Sequence, residues 1–340
     1  MTTRVAVIQM KTDDQNPDRN IETITKLLEE AFQNNNTEKP ALVLGPEFAV
    51  NGYSYNVEEA WSFAEKQGGK TEQLLCTLAK QYGIFFGMTY LEEVCTRDEE
   101  TGQLEVNFYN TFALAEPNGT IEGRVQKSRP CSLEAYIFKS SPSTSSQSHI
   151  IQCSNGWKVG VLICYENILH DPLKQLQSTG CDLLLQPFSG PLTSGGDDNV
   201  KEKLRNLYSG ICHTNARLLH CPALYANKVG KWSSDSPTIL APSYIFDTEF
   251  PGESKICDAN GTILFKLNDT EEGIAIADVE ITNTVTPTSE KDLPSIPKYF
   301  GGYTDPSLYL KSCMIFEWFG SRAYEESKLR KDNKLENPKR

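Results

Sequence analysis

The sequence lacks the features by which membrane, metal-binding and nucleic-acid-binding proteins are most readily recognised. No run of about 18 apolar residues occurs, so no membrane-spanning helix is predicted. Only four histidines are present and no Cys-x-x-Cys pair occurs, which gives a metal site little support. The formal net charge is −12 and no basic stripe interrupts it, so nucleic acid is not an expected partner.

The start of the chain and its cysteines favour a reducing compartment. The segment MTTRVAVIQM lacks the apolar region and cleavage site of a secretory signal and is typical of a first strand. The ten cysteines are scattered and are expected to be free thiols. We therefore predict a cytoplasmic protein.

Strand patterns alternate with helix patterns along the chain. Continuous apolar runs such as IFFGMTYL and KVGVLICYE are typical of strands covered on both faces. Helices are predicted over 17–35, 58–82 and 199–219. This alternation predicts an α/β fold with a mainly parallel sheet. Asn-Gly pairs at 118–119 and 260–261 predict one β-hairpin in each half of the chain, which suits two sheets packed as a sandwich.

No linker rich in Pro, Gly and Ser divides the chain cleanly. We expect one domain over residues 1–286 and a C-terminal extension over 287–340. Within the extension, DPSLYLKSCMIFEWFG (305–320) is too apolar to remain exposed. It is expected to pack on the domain or on a dimer partner, and a polar tail follows it.

Reactive side chains follow three of the apolar strands. ALVLGPEF presents Glu47, GRVQKSRPCSLE presents Lys127 and Glu134, and GVLICYEN presents Cys164. In open α/β sheets such strand ends gather ligands, so these groups can converge. Taken singly, each has an ordinary explanation: Glu47 as a helix cap, Lys127 as a surface lysine, and Cys164 as a small core residue.

Together these stretches resemble the motifs of the nitrilase superfamily of carbon–nitrogen hydrolases. PEFAVNGY is similar to its glutamate motif and GVLICYEN to its nucleophile motif, while Lys127 and Glu134 have the family's spacing. ALYANKVG (223–230) and FPGESKICDANGTIL (250–264) are similar to later segments of the family. The motifs follow the family's order over about residues 4–280, which makes the set specific.

The resemblance implies a four-layer α-β-β-α sandwich that assembles as a homodimer or larger oligomer. It also implies a Glu-Lys-Cys triad that needs no metal or organic cofactor. Glu47 would take the proton of Cys164, because a free thiol is mostly protonated at neutral pH. Lys127 and the Tyr165 backbone N–H would stabilise the oxyanion, and Glu134 would hold Lys127 or the substrate. The intermediate would be a thioester on Cys164.

The chain departs from the family pattern in ways that concern the substrate. Arg129 stands where many members have His, and Tyr165 stands where nitrilases usually have Trp, although the following Glu-Asn is shared with nitrilases. Asn215 occupies the place of a frequent Arg, which we interpret as drift in a surface helix rather than as an altered assembly contact or pocket wall. The substrate pocket is predicted to include Tyr136, Tyr165, Phe188 and Ser189.

The expected activity is hydrolysis of a small carboxamide or N-carbamoyl compound, with release of ammonia. One alternative is a nitrilase that gives a carboxylic acid and ammonia. Another is a non-catalytic binding or scaffold member of the family, although all three triad residues are present.

Overall fold

The computed structural model describes residues 2–32, 38–97, 104–141, 149–192, 198–235, 245–281 and 306–327. The strands are β1 (Thr2–Gln9), β2 (Leu42–Leu44), β3 (Phe85–Arg97), β4 (Leu104–Ala115), β5 (Ile121–Gln126), β6 (Ile150–Gln152), β7 (Lys158–Val161), β8 (Leu183–Pro187), β9 (Ala223–Ala226), β10 (Val229–Asp235), β11 (Ile245–Pro251), β12 (Lys255–Cys257), β13 (Ile263–Lys266) and β14 (Gly273–Glu280). The α-helices are α1 (Pro17–Phe32), α2 (Val57–Ser62), α3 (Lys70–Tyr82), α4 (His170–Thr179), α5 (Asp198–Leu219) and α6 (Pro306–Glu326). Short 3₁₀ helices span Ser132–Tyr136 and Cys164–Ile168.

Two six-stranded sheets form the centre of the fold. Their strand orders are β14-β1-β2-β3-β4-β5 and β13-β12-β9-β8-β7-β6, while β10 and β11 pair separately. Three neighbouring strands in each sheet are parallel, β1-β2-β3 and β9-β8-β7. The remaining pairs are antiparallel. The prediction of a mainly parallel sheet is therefore wrong, because antiparallel strands extend each parallel centre on both sides, some through hairpins and others, such as β14, from a distant part of the chain.

The sheets pack face to face between two layers of helices. Val5 and Val7 of β1 join the core shared with the second sheet, while Ala6 and Ile8 pack with Ile24 of α1 on the outer face. This alternation follows from the two-residue period of a strand. Helices α1 and α3 cover the first sheet, and α4 and α5 cover the second. The predicted four-layer α/β sandwich is confirmed.

Both predicted hairpins are present. Gly119 joins β4 to β5 with a φ of 89°, and Gly261 joins β12 to β13 with a φ of 79°. These positive angles are the reason that glycine follows asparagine in each turn. The helix predicted over 58–82 is instead two helices, α2 and α3, because Gly68 and Gly69 precede the second.

Helix α6 packs on the domain of its own chain. A Cβ on Gly320 would lie 2.8 Å from the Ala135 Cβ, so the glycine allows the helix to approach the first 3₁₀ helix. The Phe108 N–H donates a hydrogen bond to the Tyr324 hydroxyl at 2.7 Å. The other parts of the predicted C-terminal extension, 287–305 and 328–340, lie outside the described residues. No helix in the described ranges has the length and apolarity needed to cross a membrane.

Candidate active site

The predicted triad residues come from both sheets. Cys164 lies just after β7, Glu47 just after β2, and Lys127 directly after β5. The Glu47 backbone N–H donates to the Phe188 carbonyl at 3.3 Å, so the end of β2 is tied to the end of β8. The strand ends of the two sheets therefore meet at one site, as expected for α/β folds.

Lys127 lies between two carboxylates with no exposure to solvent. Its Nζ donates to Glu47 Oε1 at 2.9 Å and to Glu134 Oε2 at 2.8 Å. Glu47 Oε1 also accepts from the Asn110 side-chain amide at 2.7 Å. Glu47 Oε2 has no hydrogen-bond partner among the described residues. One oxygen of Glu47 thus fixes the carboxylate, and the other is free to accept a proton.

The backbone is strained beside three of the four predicted catalytic residues. Cys164 itself has a φ of 49°, Phe48 after Glu47 has 50°, and Ser132 near Glu134 has 52°. Residues other than glycine rarely adopt this left-handed backbone conformation, and those that do are concentrated at functional sites. At Cys164 the conformation turns the chain sharply at the end of a buried strand.

Three buried amides brace the turn at Cys164. The Asn167 side chain donates to the carbonyls of Leu162 and Cys164, both at 2.9 Å. It accepts from Gln186 at 2.6 Å, and its backbone carbonyl accepts from the Asn215 side chain at 3.0 Å. Asn215 is completely buried. Our interpretation of Asn215 as drift in a surface helix is therefore wrong, because it supports the Cys164 turn.

Burial and charge set the protonation of the triad. Burial alone would lower the pKa of Lys127, but Glu134 and Glu47 outweigh it and raise that pKa well above its ordinary value. Burial, together with the charge of Glu47, raises the pKa of the Cys164 thiol well above its ordinary value. Lys127 and a backbone hydrogen bond from Ser189 oppose this rise. The resting site therefore holds a charged lysine and a protonated thiol, which needs a base before it can attack.

Glu134 is held in place on several sides. Besides Lys127, it accepts from the Cys131 backbone N–H at 2.6 Å and from the Tyr53 hydroxyl at 2.8 Å. Burial and the Glu47 charge raise the pKa of Glu134, while Lys127 lowers it. Tyr53 also lines a surface cleft of about 790 Å³. It therefore connects that cleft with the buried carboxylates.

The four residues predicted to bind substrate differ in how directly they contact the triad. Ser189 hydrogen-bonds to Cys164 through its backbone, and its hydroxyl has no partner in the described part of the chain. Phe188 accepts from Glu47, and its ring packs against Tyr225. Tyr165 is buried directly after Cys164. Tyr136 lies against Gly320 of α6, so its ring takes part in docking that helix.

The structure adds residues that sequence reasoning missed. Asn110 donates a hydrogen bond to Glu47, although the two residues are 63 positions apart in the sequence, and nothing in the local sequence of Asn110 indicates this contact. Tyr53 stands in the glutamate motif and Lys228 in ALYANKVG, so both lay within recognised segments. In the part of the chain that the structure describes, no three His, Cys, Asp or Glu side chains are grouped as metal ligands.

Comparison with a family model gives a match over most of the chain. The model of carbon-nitrogen hydrolases matches residues 4–286. A nitrilase of Pyrococcus abyssi is 22% identical over 82% of this chain and 90% of its own length. An omega-amidase of Xenopus laevis is 28% identical over 52% of this chain and 60% of its own.

Solved structures share the fold. A carbon-nitrogen hydrolase from Helicobacter pylori superposes with a TM-score of 0.67, at 17% identity, and 99% of each chain is covered. An amidase from a Nesterenkonia species superposes with a TM-score of 0.60, at 19% identity, and 81% of this chain and 89% of the amidase are covered.

Proposed function

Since the chain belongs to the carbon-nitrogen hydrolase family, we propose that it hydrolyses the C–N bond of a small carboxamide or N-carbamoyl compound, with Cys164 as the nucleophile. The observation that carries this proposal is the asymmetry of Glu47. Its Oε1 is fixed by Lys127 and Asn110, while its buried Oε2 has no partner among the described residues. A carboxylate held in this way is positioned to accept the thiol proton.

In the first half-reaction, Glu47 accepts the proton of Cys164 as the sulfur attacks the carbonyl carbon. The negative charge passes to the carbonyl oxygen, where Lys127 and the Tyr165 backbone N–H stabilise it. Glu47 returns the proton to the leaving nitrogen, the C–N bond breaks, and ammonia departs. An acyl thioester remains on Cys164.

In the second half-reaction, Glu47 takes a proton from water, and the hydroxide adds to the thioester carbon. The C–S bond then breaks, the acid is released, and the proton returns to the thiolate of Cys164. Glu134 acts throughout by holding Lys127, since it accepts one of that ammonium's hydrogen bonds. All proton transfers in this scheme use side chains of the described site.

A nitrile is the second candidate substrate. Attack on a nitrile uses the same thiol and base, and the relative from Pyrococcus abyssi is named a nitrilase. Glu166 and Asn167, which the sequence shares with nitrilases, do not separate the two activities. Glu166 accepts from the backbone of Ile163 and Ser128, and Asn167 braces the turn, so both residues have structural roles.

The test is ammonia release from a panel of amides, N-carbamoyl compounds and nitriles, with Cys164→Ala as the control. Release that disappears in the variant supports a Cys164 hydrolase, and the responding class identifies the substrate. Silence across the panel, together with slow alkylation of Cys164, would favour the scaffold alternative.

A cytoplasmic location and a homodimer or larger assembly remain predictions. Apolar side chains of α6, including Trp318 and Phe319, are at least half exposed, which favours a partner on this helix. Sedimentation of the full chain measures the assembly.

A further inference from the structure

A second lysine, Lys228, is buried at the same end of the sheets and has no part in the mechanism above. It lies two residues beyond Ala226, the last residue of β9, whose carbonyl accepts the Phe188 N–H at 2.8 Å. The carbonyl of Phe188 in turn accepts the backbone N–H of Glu47. Since β9, β8 and β7 are neighbours in that order, Lys228 follows the strand two places from the one that presents Cys164.

The ammonium of Lys228 is in direct contact with no carboxylate among the described residues. Its Nζ is buried without a hydrogen-bond partner, and within the described ranges no carboxylate oxygen lies within 4 Å of it. Instead it lies over two ring faces, 5.6 Å from the centroid of Tyr53 and 5.4 Å from that of Phe250. Ring faces attract a cation more weakly than a carboxylate does, so most of this charge is left to act on groups farther away.

The buried cluster of Lys127, Glu47 and Glu134 carries an unbalanced charge that Lys228 can offset. Lys127 contacts both Glu47 and Glu134, so the three groups together carry an excess negative charge when both carboxylates are ionised. Removing the proton from Cys164 adds more negative charge to the site. Tyr53 donates to Glu134 while its ring faces Lys228, which places the second ammonium beside this same cluster.

We propose that Lys228 is a positioning residue for the reaction, a second cation that acts through Glu47 and Cys164 and favours the thiolate over the thiol. The inference rests on the proposed role of Cys164 as the nucleophile. Burial lowers the pKa of Lys228 to about 8, while the charges of Asp14, Glu47 and Cys164 oppose that shift. The lysine therefore stays mainly protonated at neutral pH and loses its charge in mildly alkaline solution.

Several titratable groups lie near Lys228 and Cys164, and the test must separate their effects. The carboxylates are Asp14, Glu47 and Glu134, the cation is Lys127, and the phenols are Tyr53, Tyr55 and Tyr225. Substituting only Lys228 leaves all of them in place, so a change in the alkylation rate of Cys164 at neutral pH reports the removed charge.

The experiment measures the rate of Cys164 alkylation by iodoacetamide against pH, by mass spectrometry of the Cys164 peptide. The variants are Lys228→Met, Lys228→Arg and Lys255→Met. Lys255 is a matched control, because it is also a buried lysine over a tyrosine ring, but its ammonium donates to Ser209 at 3.0 Å. Melting curves of all variants report stability.

We expect Lys228→Met to lower the alkylation rate of Cys164 about tenfold at pH 7, where Lys228 is charged, because an opposing charge near the thiolate is lost. The wild-type and variant rates should converge above about pH 9, because Lys228 is then mainly neutral in the wild type as well. Lys228→Arg, which stays charged, keeps the wild-type rate at pH 7, and Lys255→Met leaves that rate unchanged. An unchanged rate at pH 7 in Lys228→Met would overturn the inference, and a lowered melting temperature with it would make Lys228 a structural partner of Asp14.

Alkylation does not require turnover, so the two proposals fail separately. A lower alkylation rate of Lys228→Met at pH 7, in a protein that releases no ammonia, would support the electrostatic role and contradict the proposed function. Full ammonia release by Lys228→Met at neutral pH, with an unchanged alkylation rate, would contradict only the inference on Lys228.

Discussion

Cys164 and Cys212 are both buried cysteines whose thiol pKa is raised well above its ordinary value, yet their surroundings differ. Burial is the main cause at both, but the next influence on Cys164 is the Glu47 charge, whereas on Cys212 it is the thiol of Cys257. Cys212 lies within helix α5, and its sulfur contacts the carbonyl of Ala223 at 3.5 Å. Neither burial nor a raised pKa therefore distinguishes a nucleophile from a core cysteine.

The features that do distinguish Cys164 are its backbone and its charged neighbours. The φ of 49° at Cys164 costs on the order of 1–3 kcal/mol, and the amides of Asn167 and Asn215 hold the chain in that conformation. A core cysteine needs no such support. This comparison can be tested by removing the features one at a time.

The largest effect is expected from the two cysteines themselves. Cys164→Ala should lower ammonia release by at least about 10³-fold, because no thioester can form. Cys212→Ala, which alters the helix interior, should keep the activity within a few-fold of the wild type. Steady-state rates on whichever substrate the wild type hydrolyses provide the measurement, and comparable losses in both variants would contradict the distinction.

Glu47→Gln should have the next largest effect. The amide keeps the shape of the carboxylate but cannot accept the thiol proton, so kcat/KM should fall by about 10²–10⁴-fold. Glu72→Gln is the matched control, since Glu72 is also a buried carboxylate and is paired with Arg124 at 2.6 Å. It should lower the melting temperature and leave kcat/KM near the wild-type value. A Glu47→Gln variant as active as wild type would exclude this residue as the base.

Asn215→Ala should have a smaller effect on both stability and rate. It removes a buried hydrogen bond to Asn167, for which about 1–3 kcal/mol of unfolding free energy is expected. The activity should also fall, because the Cys164 turn is less well held. Asn206→Ala, on an exposed position of the same helix, should change neither quantity. Denaturant unfolding and the rate are measured on the same preparations, and equal stability of the two variants would refute the bracing role.

The smallest effect is expected where helix α6 meets the loop after Lys127. Arg129 Nε contacts the Glu317 carboxylate at 3.0 and 3.2 Å, with Arg129 partly exposed. A double-mutant cycle with Arg129→Met and Glu317→Gln should give a coupling of at most about 1 kcal/mol, because solvent screens the pair. The pair Lys139–Glu325, in which only Glu325 lies on α6 and the charged atoms are 3.3 Å apart, serves as the comparison. A coupling well above that of the comparison pair would show that α6 controls the loop.

The sequence was sufficient to predict the sandwich and the hairpins, and it indicated the residues that we propose as catalytic. Glu47 and Cys164 each follow a strand with a continuous apolar pattern, and strand ends converge in this class of fold. Lys127 follows β5, whose sequence IEGRVQ is only weakly apolar, and was indicated by its spacing from Glu134. The order of their motifs along the chain also resembles that of the carbon–nitrogen hydrolases. The same reasoning overestimated the number of parallel strand pairs, because the local pattern of a strand does not reveal which strand it pairs with or in which direction.

What could not be predicted depends on contacts between distant residues. Asn110, Gln186 and Asn215 are ordinary amides in their local sequence and gain their roles only when strands and helix α5 are packed. Arg129 was recognised as a departure from the family pattern, but its partner Glu317 lies 188 positions away. Charge partners at such separations carry no periodic signal.

The role of Cys164 as the nucleophile is tested most directly by trapping the acyl-enzyme intermediate. The protein would be mixed with a substrate amide, quenched in acid within milliseconds to seconds, and digested for mass spectrometry. The proposed mechanism predicts an added acyl group, equal in mass to the amide minus ammonia, on the Cys164 peptide alone, and its absence in Cys164→Ala. An acyl group on another cysteine, or turnover by Cys164→Ala at the wild-type rate, would contradict it.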